Sequence, residues 1–185
     1  MIWSLFKRKK ANQALVTQQY ALITQAARSP VFYEHMGVPD TVMGRFEMIA
    51  VHLILYLRRT GTAGVAAQGI AQEIVDAFFE DIDHSIRELG IGDMGVPKRM
   101  KKLARMFYGR VKSYGQAIES GDEAVLADAL GRNIHPDDAD AARSMQQLSH
   151  WVMQTARALE QTDEDTLASG RLTYPPATAE RESDD

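Results

Sequence analysis

Gly90, Gly92 and Gly95 stand at the GxGxxG spacing of a dinucleotide-binding loop, and seven basic residues follow between Lys98 and Lys112. Such a loop cradles a pyrophosphate because a buried parallel strand delivers the glycine turn to a helix N-terminus. Here the residues ahead of Gly90 read as a helix. Gly90 is therefore better placed as the left-handed residue that stops that helix, and Pro97 as an early residue of the next. Metal chemistry is the second candidate. Asp81 and His84 form a D-x-x-H pair, with Asp76 and Glu80 nearby, a donor set used by helix bundles that hold two metals. His35, His52, His135 and His150 have no carboxylate three residues upstream, so the second half of such a site is missing. Asp81, Asp83 and Ser85 imitate the start of a calcium loop, but Ile86 stands where glycine is required and Gly92 where the bidentate Glu belongs. There is no GxSxG and no thiol for nucleophilic catalysis. His52, inside an apolar run, reads as a core histidine bonded to a neighbour. No catalytic residue, metal or cofactor is assigned.

The elements that must position these side chains are helical nearly throughout, and strand alternation is missing. Residues 11–28 form a first amphipathic stretch stopped by Ser29 and Pro30, and PVFYEHMG allows a short turn of helix. The next helix has Asp40 or Thr41 as N-cap and runs to Arg59. It contains MIAVHLILYL, the longest apolar run, ten residues where a membrane span needs about twenty. That run predicts a buried central helix. Between Thr62 and Leu89, apolar residues recur at Val75, Phe78, Ile82 and Ile86, and after the glycines at Met100, Leu103, Phe107, Val111, Tyr114 and Ile118. DEAVLADAL gives a shorter helix. A last long one carries Met145, Leu148, Val152, Ala156 and Leu159 on one side, with Pro136 suited to its first turn. The fold class is all-α, a single-domain bundle of about six or seven helices. Residues 1–10 are an apolar and basic N-terminal segment, 11–165 the helical domain, and 166–185 a disordered acidic tail.

Bulk properties limit the partners. The 185 residues carry a formal charge of −4 and no cysteine. There is no global excess of cations to coat nucleic acid, so any phosphate contact comes from a local patch. Glu73, Asp76, Glu80 and Asp83 make an acidic stripe on one helix, while Lys98, Arg99, Lys101, Lys102, Arg105, Arg110 and Lys112 populate the next without an acid. Either the two helices neutralise each other across a shared apolar seam, or the basic face looks outward to RNA, an anionic bilayer or an acidic partner. At the N-terminus, Ile2, Trp3, Leu5 and Phe6 alternate with no clear signal-peptide core before Lys7, Arg8, Lys9 and Lys10. Such a segment either rests on an anionic membrane surface or docks its aromatics on the domain.

Two long strings, GVPDTVMGRFEMIAVHLILYLRR (37–59) and FFEDIDHSIRELGIGDMGVPKRMKKLARMFYGR (78–110), closely resemble the signature regions of the ubiquinol-cytochrome c chaperone family. ALGRN at 129–133 fits as well, and the resemblance covers roughly residues 15–160. It implies a non-enzymatic assembly factor for ubiquinol-cytochrome c reductase. Mitochondrial relatives work with a small partner subunit, associate with ribosomes and hold newly made cytochrome b while it acquires haem. Without a transit peptide, this chain resembles a bacterial member acting at the cytoplasmic face of the inner membrane, and DNA is not an implied partner. The family carries over no catalytic residue.

A chaperone for a membrane protein needs an adaptable apolar surface and cations to stay near ribosome or lipid. The residues expected to border the client are Phe46, Phe79, Met106 and Tyr108, unless they are simply core. The basic face for ribosome, lipid or partner is Lys98, Lys101, Lys102 and Arg105. A helical ribosome or RNA-binding adaptor without a chaperone role remains the alternative, with a carboxylate metalloenzyme behind it.

Overall fold

A computed structural model describes residues 2–88, 95–138 and 140–178, with side chains from Asn12 onward. The described residues are helical, without a strand: α1 (Ile2–Ala27), α2 (Pro30–Glu34), α3 (Val42–Gly61), α4 (Val65–Glu88), α5 (Val96–Ser120), α6 (Glu123–Ile134), α7 (Ala141–Ser144), α8 (Gln146–Glu160) and α9 (Glu164–Ala168). Six long helices make the bundle, and α2, α7 and α9 are short turns between or after them.

Local chemistry sets several of these boundaries. Thr41 caps α3, its hydroxyl accepting from the Gly44 amide at 3.1 Å, while Asp40 instead holds Arg45 at 2.8 Å. Gly44 is glycine for a steric reason: a Cβ there would lie 1.9 Å from the Pro39 carbonyl oxygen, which packs against the first turn of α3. Pro97 sits in the first turn of α5, and Asp122 caps α6 by accepting from the Ala124 and Val125 amides. Gly90 and Gly92 lie outside the described residues, so the expected helix stop at Gly90 does too. The N-terminal membrane contact likewise rests on side chains outside the described set.

α3 is the central element. From Phe46 to Tyr56 only Ile49 is even half-exposed, and the helix packs against α1, α4, α5, α6 and α8. This is the buried role that MIAVHLILYL predicts, because a helix apolar all round can only be covered on all sides. α4 and α5 fold back on each other as a hairpin, with Phe78 and Phe107 meeting near its middle.

Two expectations need correction. Pro136 does not start the last long helix; it lies in the turn after α6, and helix resumes only at Ala141. The intervening loop is instead tied across the molecule, His135 Nε2 meeting the Gly37 carbonyl oxygen at 2.7 Å. Residues 166–178 are not a free tail. Thr166 to Ala168 complete α9, and the chain then runs over the bundle with Leu172 fully buried. Polar composition there hid inward side chains spaced two apart, a signal that whole-segment averaging removes.

Candidate functional site

The α4–α5 hairpin carries a ladder of aromatic rings from core to surface. Phe46 stacks on Phe78 at 5.8 Å between centroids, Phe78 meets Phe107 at 5.3 Å, and Phe107 meets Phe79 edge-on at 5.7 Å. Tyr108 then packs on both Phe107 and Phe79, and it is 55% exposed. Phe79 is half-buried beside it, and Leu103 and Met106 are half-buried elsewhere on α5. Of the four residues expected at a client surface, Phe79 and Tyr108 share one edge of the hairpin, whereas Met106, two residues before Tyr108, lies across α5 from it. Phe46 does not reach it: it is buried under Phe78 on one side and the Arg110 guanidinium, 5.7 Å from its ring, on the other. Phe46 supports the ladder from below.

Glu47 and Arg110 anchor this ladder to α3. The Arg110 guanidinium donates through Nε and Nη2 to both Glu47 carboxylate oxygens, and through Nη1 to the Met106 carbonyl at 3.0 Å. Both side chains are almost wholly buried. Burial raises the Glu47 carboxyl above its ordinary range, and the guanidinium pulls it back down. Sequence reading placed Arg110 with the solvated cations and passed over Glu47. The signal was present: Arg110 is three residues after Phe107 and four before Tyr114, hence on the apolar face.

The rest of the basic run is exposed. Lys98, Arg99, Lys101, Lys102 and Arg105 all face solvent and make no ion pair among the described residues. No ion pair joins α4 to α5 among the described residues, and several acids of α4 are engaged elsewhere. Asp83 pairs with Arg87 at 2.7 Å, Asp76 accepts from Gln72, and Asp81 accepts from the Tyr20 hydroxyl at 2.9 Å. Mutual neutralisation of the two helices is therefore not what holds the hairpin. Its aromatic seam does, and it leaves a cationic strip beside an apolar edge.

Asp81 and His84 do not converge. Burial and the Asp81 carboxylate push the Tyr20 phenol up, while His84 meets Glu88 at 3.2 Å on the surface. Among the described residues no three His, Asp or Glu side chains group as a metal site would need.

His52 lies in the core, Nδ1–H donating to the Met48 carbonyl at 2.7 Å, as its apolar setting predicts. Burial pushes its pKa down to about 4 from 6.5. The unfolded chain takes up that proton near 6.5 and the folded chain resists to about 4, so acid favours unfolding across this window and nothing is contributed above it. Urea titrations should show wild type losing about 2 kcal/mol by pH 5, and about 3 by pH 4, beyond any loss in a His52→Gln variant. Parallel curves for the two proteins would contradict this.

The sequence profile described as ubiquinol-cytochrome c chaperone matches residues 34–174, a span that includes the whole aromatic ladder and the cationic strip. The chain belongs to the ubiquinol-cytochrome c chaperone family. It is 28% identical over 146 residues to ubiquinol-cytochrome-c reductase complex assembly factor 1 of Xenopus laevis, covering 78% of this chain and 72% of that one. The Mus musculus and Homo sapiens proteins of the same name are each 25% identical over 146 residues, and the chain spans about half their length. The crystal structure of the Cbp3 homolog from Brucella abortus is 49% identical, with a TM-score of 0.83, covering 96% of this chain and 98% of that one. Within the matched span, Gly44, Glu47 and Arg110 have structural duties, whereas Lys98, Lys101 and Lys102 are exposed and make no ion pair among the described residues.

Proposed function

We propose that this chaperone-family member is a non-enzymatic assembly factor that binds newly made cytochrome b and promotes biogenesis of ubiquinol-cytochrome c reductase. The observation that carries the reading is the family match over residues 34–174, supported by relatives named for assembly of that complex. In this reading Phe79, Met106 and Tyr108 contact an apolar client segment, and Lys98, Lys101, Lys102 and Arg105 keep the protein beside anionic lipid or ribosome. It works at the cytoplasmic face of a bacterial inner membrane, with or without a small partner subunit. No helix among the described residues is long and apolar enough to cross a membrane, and in this reading the exposed lysines of α5 hold the protein at the bilayer surface. Accessible methionine and aromatic side chains, Tyr108 exposed and Phe79 and Met106 half-buried, fit a client role because they adapt to varied apolar partners.

The test is capture of newly translated cytochrome b. With Phe79 and Tyr108 both changed to serine, co-purification should fall about tenfold or more, as expected when two aromatic anchors leave an interface. Equal capture by the variant and the wild type would remove these residues from the client site. The RNA-adaptor reading is favoured by the same exposed lysines; it requires tight binding to RNA alone with a steep salt dependence.

A further inference from the structure

After α9 the chain is held to the bundle as a bound peptide is held to a receptor. The Gln19 side-chain amide donates to the Leu172 carbonyl at 2.9 Å and accepts from the Leu172 amide at 2.8 Å, both bonds buried. That twin bond is what a neighbouring β-strand would give, and it reads backbone regardless of side chain. Side chains on alternate positions supply selectivity. Leu172 is fully buried, Thr173 is exposed, and Tyr174 turns inward with its hydroxyl donating to the His52 carbonyl at 2.8 Å and its ring edge-on to His52 at 4.7 Å.

No backbone-to-backbone hydrogen bond involves residues 172–178 among the described residues. The arm can therefore leave without breaking a helix. Its pivot is Gly170, at φ +63°, where a Cβ would meet the Leu15 carbonyl oxygen at 2.8 Å. The site has unused hydrogen-bonding capacity as well. His52 Nε2, Trp151 Nε1 and the Tyr56 hydroxyl, all buried in the cluster around Tyr174, have no partner among the described residues.

We propose that the groove formed by Gln19 of α1 and His52 of α3 is a peptide-binding site, closed in cis by residues 171–174. Its partner is an extended segment that places an aliphatic side chain and a tyrosine two residues apart. The cis arm competes at high effective concentration, so a partner binds in proportion to the fraction of molecules whose arm is out. The inference stands on the groove alone and does not depend on which client the protein serves.

A fluorescein-labelled peptide of residues 169–178 is titrated against the full chain. Wild type should bind it weakly, because its own arm fills the groove. Leu172→Asp, which drives the arm out, should bind it at least tenfold more tightly, and adding Gln19→Ala to that variant should remove the gain. Tyr174→Ser leaves Leu172 in place and should give a smaller gain in the same direction, so the test survives if Leu172→Asp does not fold. Affinity no higher in either arm variant than in wild type, or a gain that persists without Gln19, would overturn the proposal. A wild-type dimer that exchanges arms would overturn the choice of partner, by making the occupant a second copy.

Discussion

Replacing Arg110 by methionine should cost about 3–5 kcal/mol of stability, because it strands the Glu47 carboxylate in the core with no counter-charge. Removing Glu47 alone, as Glu47→Leu, should cost a similar amount by stranding the guanidinium. The double variant should recover most of the loss, since two apolar side chains of similar volume avoid the desolvation that the ion pair must offset. A double-mutant cycle from urea unfolding measures the coupling directly, and single losses under about 1 kcal/mol would contradict it. The consequence reaches the surface. Arg110 covers Phe46 and ties α5 to α3, so the single variant should also loosen the ring ladder and raise hydrogen exchange in α5 from Met106 to Tyr114. Stability and the geometry of the aromatic edge are linked here through one buried pair.

Changing Lys98, Lys101 and Lys102 to glutamate should weaken co-sedimentation with anionic vesicles by at least about a hundredfold at low salt, with the helical circular dichroism intact. Each basic residue near an anionic surface contributes about 1 kcal/mol, and three reversals remove that attraction and add repulsion. The difference should shrink as salt rises, because the screening length falls to about 10 Å at 0.1 M. The fold should tolerate the change, since these lysines are exposed and make no ion pair with a described residue. Unchanged sedimentation would mean that the strip serves no membrane, and binding to RNA alone would then be the next measurement.

Much of this arrangement was legible in the sequence. MIAVHLILYL is the covered central helix, Thr41 is one of the two caps expected for it, and Pro97 opens α5. His52 is a core histidine, as its apolar neighbours require. Phe78 and Phe79 show where reading stopped. They are adjacent, about 100° apart on a helix; the apolar spacing of Val75, Phe78, Ile82 and Ile86 turns Phe78 inward, but the ring contacts that Phe79 makes with Phe107 and Tyr108 depend on where α5 packs. Phe46, expected either at the client border or in the core, is core, because Phe78 and Arg110 lie on either side of it. The charges were harder still. Counting them as stripes treated Arg110 like Lys98, whereas one lies on the apolar face and the other on the polar face of α5. The tail was misjudged because Leu172 and Tyr174 are few among polar residues, yet each finds a preformed partner, Gln19 and His52.

The most direct test of the central claim is deletion of the gene in the source organism, with cytochrome b protein and quinol:cytochrome c reductase activity measured in its membranes beside a complemented strain. Selective loss of cytochrome b, with its transcript intact and both quantities restored on complementation, is the predicted result. Normal cytochrome b and normal activity in the deletion strain would contradict the assembly role.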